Sequence, residues 1–339
     1  MKKLNGIDKI IYLVNGIFAV VLLLAYVLPF VPPKTFSLLS VLSLSVPVLL
    51  VVNALFCLYW LLKVKKQLLL SLIVLILGFD SISTLYKFSS MEKTKTTNLS
   101  VMSYNVRLFN LYDWIKSSDV EQSIEEFVQE KSPDIVAFQE FHPHKNIKFS
   151  SYPYKYESLS GRKTKYGQAI FSKYHIINKG EIKFENTSNK AIFIDVVKNT
   201  DTLRVYNVHF QSMQINSDVN HLSDQNTEFL VKRIGSKFEM QQEQAETILA
   251  HQQQCKFKKI ILGDFNNTAY SYIYKQFKNN AFSDAFELAG NGFGKTFDFK
   301  LFPLRIDFIL LSEELQAVEF KNYSYKFSDH YPITANISW

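Results

Sequence analysis

Three long apolar runs open the chain, and then the pattern changes. Ile10–Val31 carries no charge and reaches the ~20 residues that cross a bilayer as a helix. Phe36–Leu62 is a second uncharged run, with Pro47 and Asn53 inside it. Leu68–Phe88 is the weakest of the three, because Asp80 interrupts it and Ser81, Ser83 and Thr84 follow. The pattern predicts an all-α transmembrane segment of three helices, over about 10–31, 36–62 and 68–88. The first run is too long for the apolar part of a secretory signal and lacks a small-x-small cleavage site. MEKTKTTN (91–98) is polar and short and reads as a linker.

From Leu99 onward, short β-type runs alternate with turns and a few helical stretches. Strands are expected at Leu99–Tyr104, Ile135–Gln139, Gln168–Phe171, Ala191–Val197, Leu203–Val208, Lys259–Leu262, Arg305–Leu311 and Thr334–Ser338. Val120, Ile124, Phe127 and Val128 recur at helical spacing within Asp119–Glu130, with Pro133 just beyond. Phe238–Gln252 has one apolar side, through Met240, Ala245, Ile248 and Leu249, and is expected to be helical. Interspersed strands and helices fit a layered α/β sandwich. The division is then 1–90 anchor, 91–98 linker and 99–339 globular domain.

Charge sharpens the division. The chain's net charge is +7, and residues 1–90 hold eight lysines, no arginine and only two acids, Asp8 and Asp80. The rest is close to neutral, which argues against a uniformly basic body that binds nucleic acid through its overall field. Lys2, Lys3 and Lys9 precede the first run, and Lys63, Lys65 and Lys66 separate the second from the third, whereas the Val31–Thr35 connection has only Lys34. The positive-inside bias puts the N-terminus and the second connection in the cytoplasm of a bacterial-type inner membrane. Three crossings deliver the globular domain to the extracytoplasmic side; a third run lying on the surface would leave it cytoplasmic. Asp80 is expected near the headgroups, since no basic partner stands in the other two runs. Two cysteines, Cys57 and Cys255, are too few for a disulfide framework.

Six segments run from an apolar stretch into Asn, Asp, Glu or His: SYNVR (103–107), FQE (138–140), YNVHF (206–210), GDFNN (263–267), RIDFILLS (305–312) and SDHYPI (328–333). Each alone is an ordinary strand end, but six in one domain point to a site held by a rigid sheet. Phosphate-ester hydrolysis needs this set. Magnesium takes hard oxygen ligands, and Glu140 with the Asn105 amide oxygen suits it. Asp264 can hold or deprotonate an attacking water, and Asn266 can donate to phosphorus oxygens as charge builds there. Asp329, beside His330, is placed to fix the imidazole tautomer. His209 is a second imidazole for the phosphate or the leaving group.

These segments resemble the deoxyribonuclease-I-like endonuclease/exonuclease/phosphatase family, in their order and in their spread from Val101 to about Pro332. The SDH-x-P ending is the most specific piece, followed by GDFN and R-I-D-F, and YGQAIFSKY (166–174) is similar to a further strand of that family. The resemblance implies a four-layered α/β/β/α sandwich with two central sheets and the site at one end of both. It also implies Mg2+, with Mn2+ as a substitute, held by residues among Asn105, Glu140 and Asp329. Asp264 and Asn266 would serve the nucleophile and transition state. Asp307 would support the histidine or a metal, and Asp329–His330 would form the catalytic dyad. The expected partners are a bilayer and a phosphate-ester substrate, either a lipid headgroup or nucleic acid; no protein partner follows from the sequence. His209 stands where abasic-site endonucleases show Tyr-x-Pro-Asn, which points away from that branch. A scaffold that had lost catalysis would show gaps at these positions, and all eight residues are chemically competent.

Other signals are weaker. His142 and His144 lack a third ligand for zinc. Ser160–Lys165 is a basic loop, and Tyr270–Tyr274 could stack on a base or simply pack. Gln211–Lys237 has no clear period, and GNGFGKTF (290–297) is no P-loop but a glycine-rich turn that could border the site.

Overall fold

The computed structural model describes residues 4–88, 97–117, 119–145, 147–213, 227–300 and 303–339. Most of the linker and the middle of the 211–237 stretch lie outside these. The N-terminal region is all helical: α1 (Gly6–Ala25), α2 (Ser37–Val41), α3 (Val46–Leu62), α4 (Leu68–Leu77) and α5 (Phe79–Leu85). Gly6–Phe30 and Ser37–Leu62 are each long and apolar enough to cross a membrane. The third run, expected as one helix over 68–88, is instead α4 and α5, bent by 74°. The break has a local cause. The Tyr26 ring fills the space beside Gly78, where a Cβ would lie 1.9 Å from the tyrosine hydroxyl, and Gly78 caps α4 before α5 leaves in a new direction. Asp80 is exposed in the first turn of α5.

Polar side chains hold these helices to one another. Asn15 Nδ2 donates to Ser71 Oγ at 2.6 Å, and Trp60 Nε1 donates to Asn15 Oδ1 at 2.9 Å. Asn53 Nδ2 donates to the carbonyls of Leu49 (2.9 Å) and Phe18 (3.2 Å). All four residues are fully buried. Buried and bonded to one another, these polar groups fasten the helices together.

Two six-stranded mixed sheets form the sandwich. The first, in spatial order, is β11 (Gln316–Asn322), β12 (Ile333–Ser338), β1 (Leu99–Asn105), β2 (Ile135–Phe141), β4 (Tyr166–Ser172) and β3 (Tyr154–Ser160). The second is β5 (Ile176–Lys183), β6 (Lys190–Lys198), β7 (Asp201–His209), β8 (Lys258–Asp264), β10 (Asp307–Ser312) and β9 (Phe282–Asp284). Period-two alternation assigns the faces. Leu99, Val101, Ile135, Ala137, Val205, Ile260, Leu262, Ile309 and Leu311 meet between the sheets. Met102, Tyr104, Val136 and Phe138 face outward onto α6 (Val120–Lys131). On the far side Tyr206, Val208, Ile261 and Phe308 pack beneath α7 (Thr227–Gln253) and α8 (Tyr272–Asn279). The result is the expected α/β/β/α layering, with a short α9 (Ala285–Ala289) besides.

The helical region is docked against this sandwich. Ser37 backs onto Gly235 of α7, whose missing side chain allows the approach: a Cβ there would sit 3.2 Å from that of Ser37. Lys34 pairs with Glu246 at 2.7 Å, and its backbone N–H donates to Gln242 Oε1 at 2.9 Å. Tyr270 is buried in the apolar cluster of α1, α3 and α4 and donates to the Ser81 carbonyl at 3.3 Å. Lys87 and Gly292 exchange backbone hydrogen bonds.

Candidate active site

The site continues the inter-sheet face past the end of its apolar part. Along β1 the inward positions are Leu99, Val101, Ser103 and Asn105; along β8 they are Ile260, Leu262 and Asp264; along β10 they are Asp307, Ile309 and Leu311. Register brings the ends together. His209 pairs with Asp264 across the parallel β7–β8 ladder, and Asp307 pairs with Asp264 across the antiparallel β8–β10 ladder. Gly263, at φ +140°, permits the close strand approach, since a Cβ there would meet the Val208 carbonyl at 2.0 Å.

Beneath the site lies a polar layer that sequence reading did not single out. Gln139 Nε2 donates to Asn207 Oδ1 at 2.7 Å, Asn207 Nδ2 donates to the Phe138 carbonyl at 2.8 Å, and Gln168 Nε2 donates to the Asn207 carbonyl at 3.1 Å. These buried bonds cross from one sheet to the other. Their signal was present in the alternation, because Gln139 and Asn207 occupy inward positions where an apolar residue is expected.

Asp264 is the hub. It is 1 % exposed. Asn105 Nδ2 donates to it at 3.0 Å, and its oxygens lie 3.6 Å from His330 Nε2 and 3.8 Å from His209 Nε2. Asn266 N donates to Asp264 Oδ1 at 2.8 Å, closing a turn that puts Asn266 at φ +49°. One Asn266 side-chain amide hydrogen bonds the Phe210 carbonyl at 3.0 Å. Gln241 of α7 holds this turn through the Asn266 carbonyl at 3.0 Å.

Glu140 needs a backbone device to arrive. Its neighbour Gln139 already faces inward, so a regular strand would turn Glu140 away. A bulge between Phe138 and Phe141, with Glu140 at φ +48°, turns it toward the site instead. Its carboxylate lies 3.4 Å from Asn105 Nδ2 and 3.9 Å from His209 Nε2. After β1, Arg107–Asn110 holds four successive left-handed residues at φ +42° to +61°. Each such non-glycine residue costs about 1–2 kcal/mol. The turn is held by Asn110, which bonds both the N–H and the carbonyl of Ile115 at 2.8 Å, and by Phe109 against Phe138 and Phe141.

One expected pairing is corrected. Asp329 does not hold its sequence neighbour. It forms an ion pair with Arg107 at 3.1 Å. The His330 imidazole is held by Asp307, from Nδ1 at 3.0 Å, and the two are 6 % and 2 % exposed. Asp329 lies in a bend that turns it to Arg107, while His330 enters an isolated bridge to Phe297 that carries its ring to Asp307, so adjacency in sequence does not bring the two side chains together. Ser328 ties this segment to β1, donating to the Asn105 carbonyl at 2.8 Å, and Thr296 Oγ1 accepts from the N–H groups of Ile306 and Asp307.

The electrostatics separate the roles. Burial opposes charge on His330, but Asp307 and Asp264 outweigh it and push the imidazole up to about 10. Burial raises Asp264 to about 6, with Asp307 adding repulsion and His330 opposing. Burial lowers His209, which stays neutral at pH 7. Desolvation raises Glu140 despite the partial relief from His330. A carboxylate raised in this way is short of positive charge and offers the hard oxygen that a divalent cation takes. The Asn105 amide turns its nitrogen to Glu140 and Asp264 and its oxygen to the Arg107 N–H, so it joins as a ligand only by turning about. Asp264, Asp307 and His330 also place ligand atoms within 4.8 Å of one another, a grouping that could hold a metal. An imidazole kept protonated by two carboxylates is a poor metal ligand. A pocket of about 450 Å3 opens beside Glu140 and His209, with Tyr112, Trp114, Tyr166, Gln168 and Lys190 among its lining.

A two-sheet sandwich with an acid–histidine cluster across the strand ends defines a class, and comparison with known proteins gives the family. Residues 102–330 match the model of the Endonuclease/Exonuclease/phosphatase family, and the chain belongs to that family. Its members are typically hydrolases of phosphoester bonds that use a divalent metal. Residues 8–85 match a domain of unknown function (DUF8431). No curated protein matches the sequence significantly. Among solved structures, an endonuclease/exonuclease/phosphatase from Bacteroides vulgatus is similar at TM-score 0.55 and 18% identity, over 72% of this chain and 99% of that one. A mannosyl-6-phosphatase from Bacteroides thetaiotaomicron gives 0.53 and 18%, over 71% and 100%. The human Nocturnin catalytic domain gives 0.54 and 16%, over 71% and 94%. At these identities the likeness is one of fold.

Proposed function

We propose that this chain is a membrane-anchored, Mg2+-dependent phosphoesterase that acts on a phosphodiester or phosphomonoester of a lipid headgroup or nucleic acid. The observation that carries the reading is the convergence on Asp264 of Asn105, His209, His330 and Asp307 from four other strand ends or loops. Glu140 and Asn105 would hold the Mg2+, and the bound ion would polarise the phosphoryl group and neutralise its charge. Asp264, raised by burial, takes the proton of a water whose oxygen bonds phosphorus on the side opposite the leaving group. As the P–O bond to the alcohol breaks, that oxygen takes a proton from the His330 imidazolium. Asp264 and His330 lie 3.6 Å apart, beyond direct hydrogen-bond distance, so the proton returns through a solvent water and both groups are reset. His209, neutral, and Lys190 face the pocket where the ester sits.

The anchor reading is supported by charge placement. Lys63 pairs with Asp8 at one end of the helices, whereas the sandwich docks at the other, on the 26–45 and 80–88 segments. The positive-inside bias then puts the sandwich on the extracytoplasmic face. The test is hydrolysis of bis(p-nitrophenyl) phosphate by the full chain in detergent, with Mg2+ or chelator. Turnover should need the metal and fall at least a hundredfold in Asp264→Ala, with little change in melting temperature. A folded chain that binds Mg2+ and leaves soluble diesters, DNA and phospholipids intact would instead be a scaffold that keeps the fold.

A further inference from the structure

The anchor helices grip the sandwich at the end that carries the site. Tyr270 is buried among the anchor helices and lies four residues beyond Asn266. Extended chain reaches at most ~3.6 Å per residue, so their Cα atoms lie within roughly 14 Å of each other. A second tie enters from another strand. Gly292 pairs with Lys87, and five residues later the Phe297 ring lies 5.0 Å from the His330 ring. A third runs through α7, where Gln241 holds the Asn266 turn while Gly235, earlier on the same helix, packs on Ser37. GNGFGKTF, left by the sequence as a glycine-rich turn near the site, is thus part of the connection between anchor and site.

The rim at this end is aromatic where it meets the anchor. Tyr86 lies 4.8 Å from both Phe88 and Phe293, and these are 78% and 49% exposed. Aromatic side chains continuous with membrane helices belong at headgroup depth. The pocket of about 450 Å3 beside Glu140 and His209 suits one headgroup. The sandwich carries little of the chain's positive charge, so it lacks the field that draws in nucleic acid.

We propose that the mouth of the site opens onto the headgroup layer of the bilayer that holds the anchor, and that the substrate is a phosphoester borne by a lipid headgroup in that bilayer. This rests on the phosphoesterase reading above and selects one of its two substrate classes. Water adds to phosphorus, the P–O ester bond breaks, and the products are an alcohol and a phosphate, one of them left on the lipid. Being embedded beside its substrate gives the enzyme an effective concentration that no soluble ester matches.

The test uses the full chain in phosphatidylcholine vesicles doped with phosphatidic acid, phosphatidylglycerol or phosphatidylinositol 4-phosphate. One arm places the doped lipid in the enzyme's own vesicles and another in separate vesicles. Single-stranded DNA and bis(p-nitrophenyl) phosphate are the soluble arms. At least one lipid should be cleaved about tenfold or more faster in the same vesicle than across vesicles. Hydrolysis of the soluble diester or of DNA with all three lipids intact would overturn the proposal and leave the phosphoesterase reading standing. Loss of every arm, the soluble diester included, would remove that reading and this one with it. A placement measurement is independent of turnover. In a Cys57→Ala, Cys255→Ala background, a fluorophore on Phe293→Cys should be quenched by headgroup-nitroxide lipid. One on Asn199→Cys, at the opposite end of β6, should not. Equal quenching at the two positions would overturn the placement.

Discussion

Two buried polar clusters in this molecule use the same side chains to opposite ends. In the helical bundle, Asn15 has its oxygen bonded to Trp60 and its amide to Ser71, at 2.9 and 2.6 Å. In the sandwich, Asn105 splits its amide between Asp264 and Glu140 at 3.0 and 3.4 Å; Asp307 holds His330 at 3.0 Å, and the other carboxylate–imidazole separations run from 3.6 to 3.9 Å. The first cluster is closed: its partners saturate one another, so it can do nothing except hold helices together. The second crowds carboxylates and leaves Asp264 and Glu140 too far from His209 and His330 for direct hydrogen bonds, a state that is stable only because rigid strands impose it. Burial makes both expensive when unpaired; only the open one keeps capacity for a ligand.

The sharpest way to break this contrast is to remove the charge that biases the open cluster. Asp264 acts as base above about pH 6, and His330 acts as acid below about pH 10, so turnover should be bell-shaped between those limits. Bound Mg2+ adds positive charge and moves the acid limb below 6. Asp307→Asn removes the strongest influence holding His330 protonated. The basic limb should then fall toward the ordinary histidine value of about 6.5, and turnover near pH 8 should drop by roughly thirtyfold. A variant that loses activity evenly at all pH values would show that Asp307 only supports the fold.

The contrast also explains what the sequence could and could not disclose. Central strands were legible because burial on both faces leaves nearly continuous apolar runs: Ile135–Gln139 and Lys259–Leu262 lie inside β2 and β8. Edge strands were missed. Ile176–Lys183 (IINKGEIK) and Tyr154–Ser160 (YKYESLS) are exposed and polar and lack the alternation that marks a buried face. The helix read as starting at Phe238 begins at Thr227, and its first turns carry a short apolar stripe, Leu230 and Ile234 in line with Phe238, that packs on Val41 and Leu44 of the helical region. Tyr270 and Tyr274, weighed as a stacking surface, are buried: one against the anchor, the other bonded to Asp284 and Glu287 at 2.8 Å. Which residues gather at the strand ends was legible from the motifs. Which carboxylate faces which imidazole was not legible from adjacency: Asp329 stands beside His330 in sequence, whereas the contact is made by Asp307, which the resemblance left open between histidine and metal, through strand register and a loop return across 23 positions.

The smallest expected effect tests the closed cluster. Asn15→Leu replaces a polar side chain by an apolar one of similar volume at a fully buried position between α1, α3 and α4. In a water-soluble core the orphaned Trp60 N–H would cost about 1–3 kcal/mol. In a bundle embedded in lipid the unfolded reference also finds partners, so interhelical bonds average ~0.6 kcal/mol, with a maximum near 1.7. Ser71 turns to Asn53, already 3.4 Å away, which limits the loss further. The expected result is a melting temperature in detergent a few degrees lower, with kcat on a soluble diester unchanged, because Asn15 contacts neither Tyr270 nor Ser37, through which the bundle reaches the sandwich. A fall in kcat without a fall in melting temperature would mean that the two clusters are mechanically coupled, and that the helices shape the site as well as holding it at the membrane.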